Sequence, residues 1–462
     1  MTTLSTASVL NARPSRPADR GGAAARFQMS ARLLLVATLC AAPWAYGAVL
    51  PWGWAALLVL AFLALILWAL ACAQRGVLKI VWSPLYWPFL AFLLLAVVQW
   101  GTGLTYDRIA TRESVLKIVT DLLFFFLAGQ LLNGHAENGR ALGQLGLITT
   151  LLVFALSALA LGQLFTSPRS IYWRVTPPVG WPFGPYVNHN HYGGIMELLI
   201  PISAAYILSR PVESAMRWVL WLLMAVPLIS VLLSGSRGAM VSLLVEGLLL
   251  ALLAVSKSPK AVRSGALVGG AVVASLAIGI FLWMNSGRLP GRITAILDAD
   301  KNTRGEVTDR MSVAKTALHI TWAHPGIGVG VGCFEYGFTQ YATFPTDMHW
   351  THAHNDYLEV MAETGLPGAL VLVAALLLFF PLAFRHLGAR LRHESGWIQV
   401  GASVACVGLL CHSFLDFNLR IAANAAWFAV CLAIAVHPGS GQGNARKMVR
   451  PASRERMGEF VV

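Results

Sequence analysis

Apolar residues along the chain gather into runs of about 20, divided by short polar stretches. A helix rises about 1.5 Å per residue, so one such run crosses a bilayer core about 30 Å thick. Twelve runs fit this length, at about 32–50, 52–73, 82–101, 114–133, 141–165, 191–209, 216–234, 238–256, 264–285, 365–384, 397–416 and 420–436. Two polar intervals break the series, a long one from about 285 to 364 and a shorter one from about 166 to 190. The pattern predicts an all-α polytopic membrane protein with about twelve transmembrane helices. Residues 1–31 read as a disordered basic tail and 32–285 as helices one to nine. Residues 286–364 read as one large, partly helical loop, 365–436 as the last three helices, and 437–462 as a second basic tail.

Composition agrees. The chain is 57% hydrophobic and only 12% charged, too little charge to coat a soluble domain. Its net charge of +13 would suggest nucleic acid if it were spread over one surface. It is not. With the N-terminus placed in the cytoplasm, the inner segments hold 21 of the 34 basic residues and six acids; the outer segments hold 13 basic and 12 acidic residues. That asymmetry is the positive-inside signal, so the charge reports topology and nucleic acid is rejected. Both termini are expected inside. The segment "AYGA" after the first apolar run fits a cleavage site, but the tail before it is long for a signal peptide, and retention is expected. Five of the six cysteines lie in apolar runs and none forms a CxxC, which predicts core packing and neither a disulfide nor a metal framework.

This topology puts four polar clusters on the outer face. They are "NHNHYGG" (188–194), "SGSRGA" (234–239), "THAHNDYLE" (351–359) and "CHSFLDFNLR" (411–420). Arg237 sits in a turn of a few residues between two apolar runs. It reads equally as an interfacial anchor or as a phosphate ligand, since a guanidinium fork matches phosphate geometry. Arg310, ahead of a predicted helix at Met311–Trp322, reads as a surface charge or a second anion ligand. Gly326, Gly328, Gly330 and Gly332 follow no strand and are not a dinucleotide fingerprint. They are expected to allow close backbone packing against membrane helices. Asp298–Asp300 resembles the metal-binding acid pair of nucleotide-sugar transferases but lies on the outer side, and reads as a solvated loop.

The pairs His189/His191 and His352/His354 invite a zinc reading. No HExxH and no cysteine supports it, and no metal site is expected. A general base fits better, because a histidine with a reference pKa of about 6.5 accepts a proton near neutrality. Asp416, Asn418 and Arg420 crowd the last outer turn with His412 one turn inward, and pairing among themselves is the simpler reading. Glu246 falls near mid-membrane and is expected to face the bundle interior.

With these residues placed, the chain resembles the O-antigen ligase and polymerase superfamily of bacterial membrane glycosyltransferases. The matching segments are "GPYVNHNHYGG", "SGSRGAMVSLL", "ALHITWAHPGIGVGVGCFEYGF", "HAHNDYLEVMAETGLPG" and "HSFLDFNLRIAANAAWFA". The resemblance implies an inverting, metal-independent transfer of a glycan from undecaprenyl diphosphate at the periplasmic face of the inner membrane, with no cofactor. Carried over by motif, Arg237 and Arg310 bind the donor diphosphate and His354 is the base, with His352 the second candidate. Asn188, His189, Asn190, His191, Asn355, Asp356, Asp416 and Arg420 are expected to support them; His189 and His191 go beyond the family's polar motif and offer a second possible base. The expected function is ligation of O-antigen to a lipid A–core hydroxyl. The alternative within the superfamily is an O-antigen or exopolysaccharide polymerase acting on a growing glycan. A glycolipid flippase is the alternative of a different class; it should carry polar groups at midplane, where the sequence offers chiefly Glu246.

Overall fold

The computed structural model describes residues 18–132, 138–178, 180–211, 214–255, 303–344 and 350–437. The run at 264–285 and the acids at 298–300 lie outside the described residues. Among those described, the secondary structure is helical apart from two isolated bridges. The helices are α1 (Ala18–Ala41), α2 (Pro51–Arg75), α3 (Tyr86–Thr102), α4 (Arg108–Leu131), α5 (Asn138–Thr166), α6 (His189–Leu208), α7 (Ala215–Ser234), α8 (Arg237–Val255), α9 (Thr303–Ala323), α10 (Phe334–Tyr341), α11 (Asp356–Phe384), α12 (Leu387–Arg390), α13 (Glu394–His412) and α14 (Ala422–Val436). Nine of the described helices are long and apolar enough to cross a membrane, and α3 and α14 are shorter apolar helices. The chain is an all-α polytopic membrane protein.

Local sequence sets the helix ends. Asp107 caps α4, its carboxylate accepting from the backbone N–H groups of Ile109 (2.7 Å) and Ala110 (2.9 Å). Asn188 caps α6 and Asn355 caps α11 in the same way. Pro51 opens α2 and the left-handed Gly76 closes it. Two boundaries differ from the sequence reading. Helix α1 starts at Ala18, inside the stretch read as a disordered tail. Alanines make residues 23–25 good helix formers, and Ala24 and Ala31 are buried. The last nine residues of the expected loop, 356–364, are also helical, and α11 continues past a break at Gly365.

The bundle has a centre and a rim. In α6, 89% of the spanning window is buried and in α13 72%, against 17% in α11 and 22% in α2. Helices α6 and α13 pack together, with α14 beside both, and their apolar residues join the main core. Helices α2, α7 and α11 turn broad apolar faces outward, as a lipid-facing rim requires. The glycine-rich turn packs as expected. Gly328 and Gly330 hold left-handed backbone, Val329 N donates to Ala362 O (3.1 Å), and Gly330 N donates to Glu363 O (2.9 Å). A Cβ on Gly328 would meet the Glu363 backbone, so only glycine lets this turn lie against α11.

Candidate functional site

The starts of α6, α8 and α11 meet the α13–α14 turn at one end of the bundle. His189 bonds through Nδ1 to Ser234 O at the end of α7 (2.8 Å), drawing the α7–α8 turn toward α6. Gly238 lies directly under the His412 ring, where any Cβ would collide. Asp356 N donates to Ser413 O (2.9 Å), while its side chain accepts from Ser413 Oγ (2.9 Å) and Leu419 N (3.3 Å). Asn355 Nδ2 donates to Phe414 O (3.1 Å). Three of the sequence clusters are thereby tied to the fourth.

At the centre is the Phe417 ring. His352 stacks on it at 4.2 Å between centroids, while His191 (4.7 Å) and His354 (4.9 Å) meet it edge-on. Two histidine–carboxylate pairs flank the ring. His354 Nδ1 lies 3.1 Å from Asp416 Oδ1, which also accepts from Phe417 N (2.9 Å). His352 Nδ1 lies 2.8 Å from Glu359 Oε1, and Glu359 Oε2 accepts from Ala353 N (2.8 Å). Arg420 spans Glu359 (3.1 Å) and Glu363 (2.6 Å).

His354 is held in the left-handed region, at φ 49°. A non-glycine residue there costs about 1–3 kcal/mol, and such strain concentrates at functional sites. Its side chain is 19% exposed, while Asp416 is fully buried. Because Asp416 accepts from Nδ1–H, the neutral ring keeps its lone pair on Nε2. Asp416 Oδ2, His191 Nε2, Asn418 Nδ2 and Asp356 Oδ1 are buried and lack hydrogen-bond partners among the described residues. Each such group costs about 1–3 kcal/mol, so four on the elements that meet here mark a place where stability is given up.

Charge follows from this wiring. Burial raises the Asp416 carboxyl's pKa, but the hydrogen bond and charge of His354, with His191 and His412 nearby, hold it well below the usual value. Burial disfavours protonated His352, yet the Glu359 carboxylate outweighs that and raises its pKa. The two carboxylates of Glu363 and Glu359 likewise keep Arg420 protonated against its burial.

The structure brings together His352, His354, Asn355, Asp356, Asp416, Arg420 and His191 from the sequence candidates. Asn188 and Asn190 serve the start of α6, Asn188 Oδ1 accepting from Asn190 N (2.8 Å). His189 and His191 point apart, as i and i+2 do on a helix, and share no ligand. Arg310 NH1 reaches Leu415 O on the α13–α14 turn (3.3 Å). Arg237 opens α8 with its side chain exposed, one residue before the glycine under His412. Glu246 is buried with neither oxygen hydrogen-bonded to a described residue, against Gly408.

Sequence reading missed Glu359, Glu363, Phe417 and the buried pair of Glu197 and His412 (2.7 Å). A signal for two of them was present. Residues 356, 359 and 363 follow an i, i+3, i+7 spacing, which places three carboxyl groups on one helical face.

No curated protein matches the chain. Residues 222–373 match the family model described as O-antigen ligase (Wzy_C). That span holds Arg237, Arg310, His352, His354, Asn355 and Asp356, and stops short of Asp416 and Arg420. The match and the helical architecture together support an O-antigen ligase- or polymerase-like membrane enzyme of the superfamily that the motifs resemble.

Proposed function

We propose that the protein is an inverting glycosyltransferase that moves a glycan from undecaprenyl diphosphate to a hydroxyl of lipid A–core at the periplasmic face of the inner membrane. The observation that carries this reading is His354. It is strained, partly exposed, fixed through Nδ1 by a buried carboxylate, and free to accept a proton at Nε2. In this reaction the acceptor hydroxyl attacks the anomeric carbon of the donor's first sugar. The new C–O bond forms as the bond to the diphosphate breaks, and the hydroxyl proton passes to His354 Nε2. Asp416 keeps the ring in the accepting tautomer and offsets the imidazolium that forms. Arg237 and Arg310 supply positive charge as it grows negative on the leaving diphosphate. The protein's own groups supply base, orientation and charge.

Two measurements test this. In a strain lacking the gene, long glycan should vanish from lipopolysaccharide while long chains persist on the carrier. Single repeats left on lipid A–core would mark a polymerase, and carrier-linked glycan trapped in the cytoplasm would mark a flippase. With the purified protein, Arg237→Ala should abolish transfer while the protein keeps its melting temperature; wild-type transfer by that variant would remove Arg237 from the donor site.

A further inference from the structure

A cavity of about 460 Å³ lies between α2, α3, α4, α11 and α14. One end wall is formed by His352, Asp356 and Arg420; His354, Asp416, Arg237 and Arg310 do not line it. The chamber therefore reaches His352 but neither His354 nor the two arginines. Glu113, Ser114, Lys117, Thr120 and Asp121 of α4 add further polar groups, and the rest of the lining is mainly hydrocarbon, with Phe89, Phe125, Leu376 and Phe379 among its residues. The space exists because small residues face it: Ala425 and Ala429 on α14 and Ala375 on α11. Helix α11, which walls one side, is the least buried of the nine spanning helices, so this wall borders lipid.

The polar end has a definite charge pattern. Arg420 is engaged by Glu359 and Glu363. Lys117 stands one helical turn from Glu113 and one from Asp121 on α4, with its ammonium 5.7 Å from the Trp54 ring centroid. Lys117, Arg420 and His352 of the lining thus each have a carboxyl group beside them, and Asp356 adds another. A diphosphate needs positive charge in excess and finds none here. Sugar hydroxyls need alternating donors and acceptors, which carboxylates beside Lys117 and Arg420 provide.

We propose that this chamber holds the hydrocarbon anchor of the acceptor glycolipid, whose sugars lead out past the His352–Asp356–Arg420 wall toward His354. The proposal rests on the transfer reaction proposed above. The donor diphosphate then lies on the Arg237 and Arg310 side, and the two lipids meet across Phe417. The acceptor enters sideways from the membrane.

Filling the chamber tests this without touching the proposed base. Ala429→Trp, and separately Ala375→Trp on the opposite wall, are compared with wild-type full-length protein in nanodiscs. Binding of lipid A–core should weaken about tenfold, and its KM should rise equally, because chain burial is lost from ground and transition states alike. Binding of the same molecule stripped of acyl chains, and the KM of the undecaprenyl diphosphate donor, should stay within about twofold. A rise confined to the donor would assign the chamber to the donor's tail and overturn the proposal. Unchanged constants in both folded variants would mean that only bulk lipid fills it, and would overturn it too. Binding is read without turnover, so a wild type that binds lipid A–core in the chamber yet transfers nothing defeats the reaction and not the chamber.

Discussion

The two sides of the Phe417 ring carry histidine–carboxylate pairs made of the same parts and wired differently. On one side Glu359 is saturated: Oε1 meets His352 and Arg420, and Oε2 meets Ala353 N. On the other, Asp416 Oδ1 meets His354 and Phe417 N, while Oδ2 has no partner among the described residues. The first pair is closed and ties the loop to α11. The second is open, and its histidine is the one whose backbone is strained. Equal chemistry thus separates into a closed brace and an open pair, the one proposed as reactive, through the number of bonds each carboxylate makes.

The largest break in this comparison should come from His354→Ala. Loss of a general base lowers turnover by about 10²–10⁴-fold. The purified variant should stay folded but melt somewhat below wild type, since alanine keeps the left-handed strain and the buried Asp416 carboxylate loses its partner. Turnover near wild type would move the base elsewhere, with His352 the first alternative.

Asp416→Asn comes next. The amide keeps the shape of the carboxylate but leaves the Nδ1–H without a charged acceptor, so turnover at saturating substrate should fall about 10²-fold. The same carboxylate contributes to stability. Its folded pKa is depressed, so that contribution is present above the ordinary carboxylate value of about 3.9 and is lost as pH falls toward the folded value. Wild type should therefore lose more melting temperature than Asp416→Asn on acidification below pH 4. Equal acid sensitivity would show that the pair is not formed.

On the closed side, Glu359→Gln should act on stability more than on chemistry. A buried charged acceptor serves three donors here, and its loss should cost about 2 kcal/mol in denaturant unfolding. Turnover measured well below the melting temperature should change less than for Asp416→Asn. A reversal of that order would erase the distinction between brace and reactive pair.

Much of this was legible in the sequence. Apolar runs located the helices, and the four polar clusters at run ends converge because helix ends on one side of a membrane must share that side. The start of α1 was hidden by charge and glycine around a short alanine-rich core, which made it resemble a tail. In the site, His352 and His354 stood out as polar residues beside an apolar run. Phe417 did not, because an aromatic between apolar helices looks like core until three histidines are seen around it. The partner of each histidine was also hidden: Glu359 lies seven residues from His352, whereas Asp416 lies 62 from His354, a pairing only the tertiary fold makes. The chamber was invisible for a related reason. It depends on Ala375, Ala425 and Ala429 facing one another from two helices, and small residues in apolar runs carry no mark of emptiness.

The smallest effect expected is a pH dependence that belongs to His352 alone. Its folded pKa is raised, with burial opposing protonation and Glu359 outweighing it. Such a group stabilises the fold fully below the unfolded value of about 6.5, and the contribution is lost as pH rises through the folded value. The side chain is 31% exposed, so solvent screens the pair and the change in melting temperature should be small. Wild type should nevertheless soften as pH rises above about 6.5 more than His352→Gln does. Turnover should not follow the same curve, because a base works only when neutral, and a carboxylate that favours the protonated ring makes His352 the less fit of the two to take the acceptor's proton. If turnover instead rises with the pH at which His352 deprotonates, and that rise disappears in His352→Gln, then the closed pair is the working one and the assignment across the Phe417 ring must be exchanged.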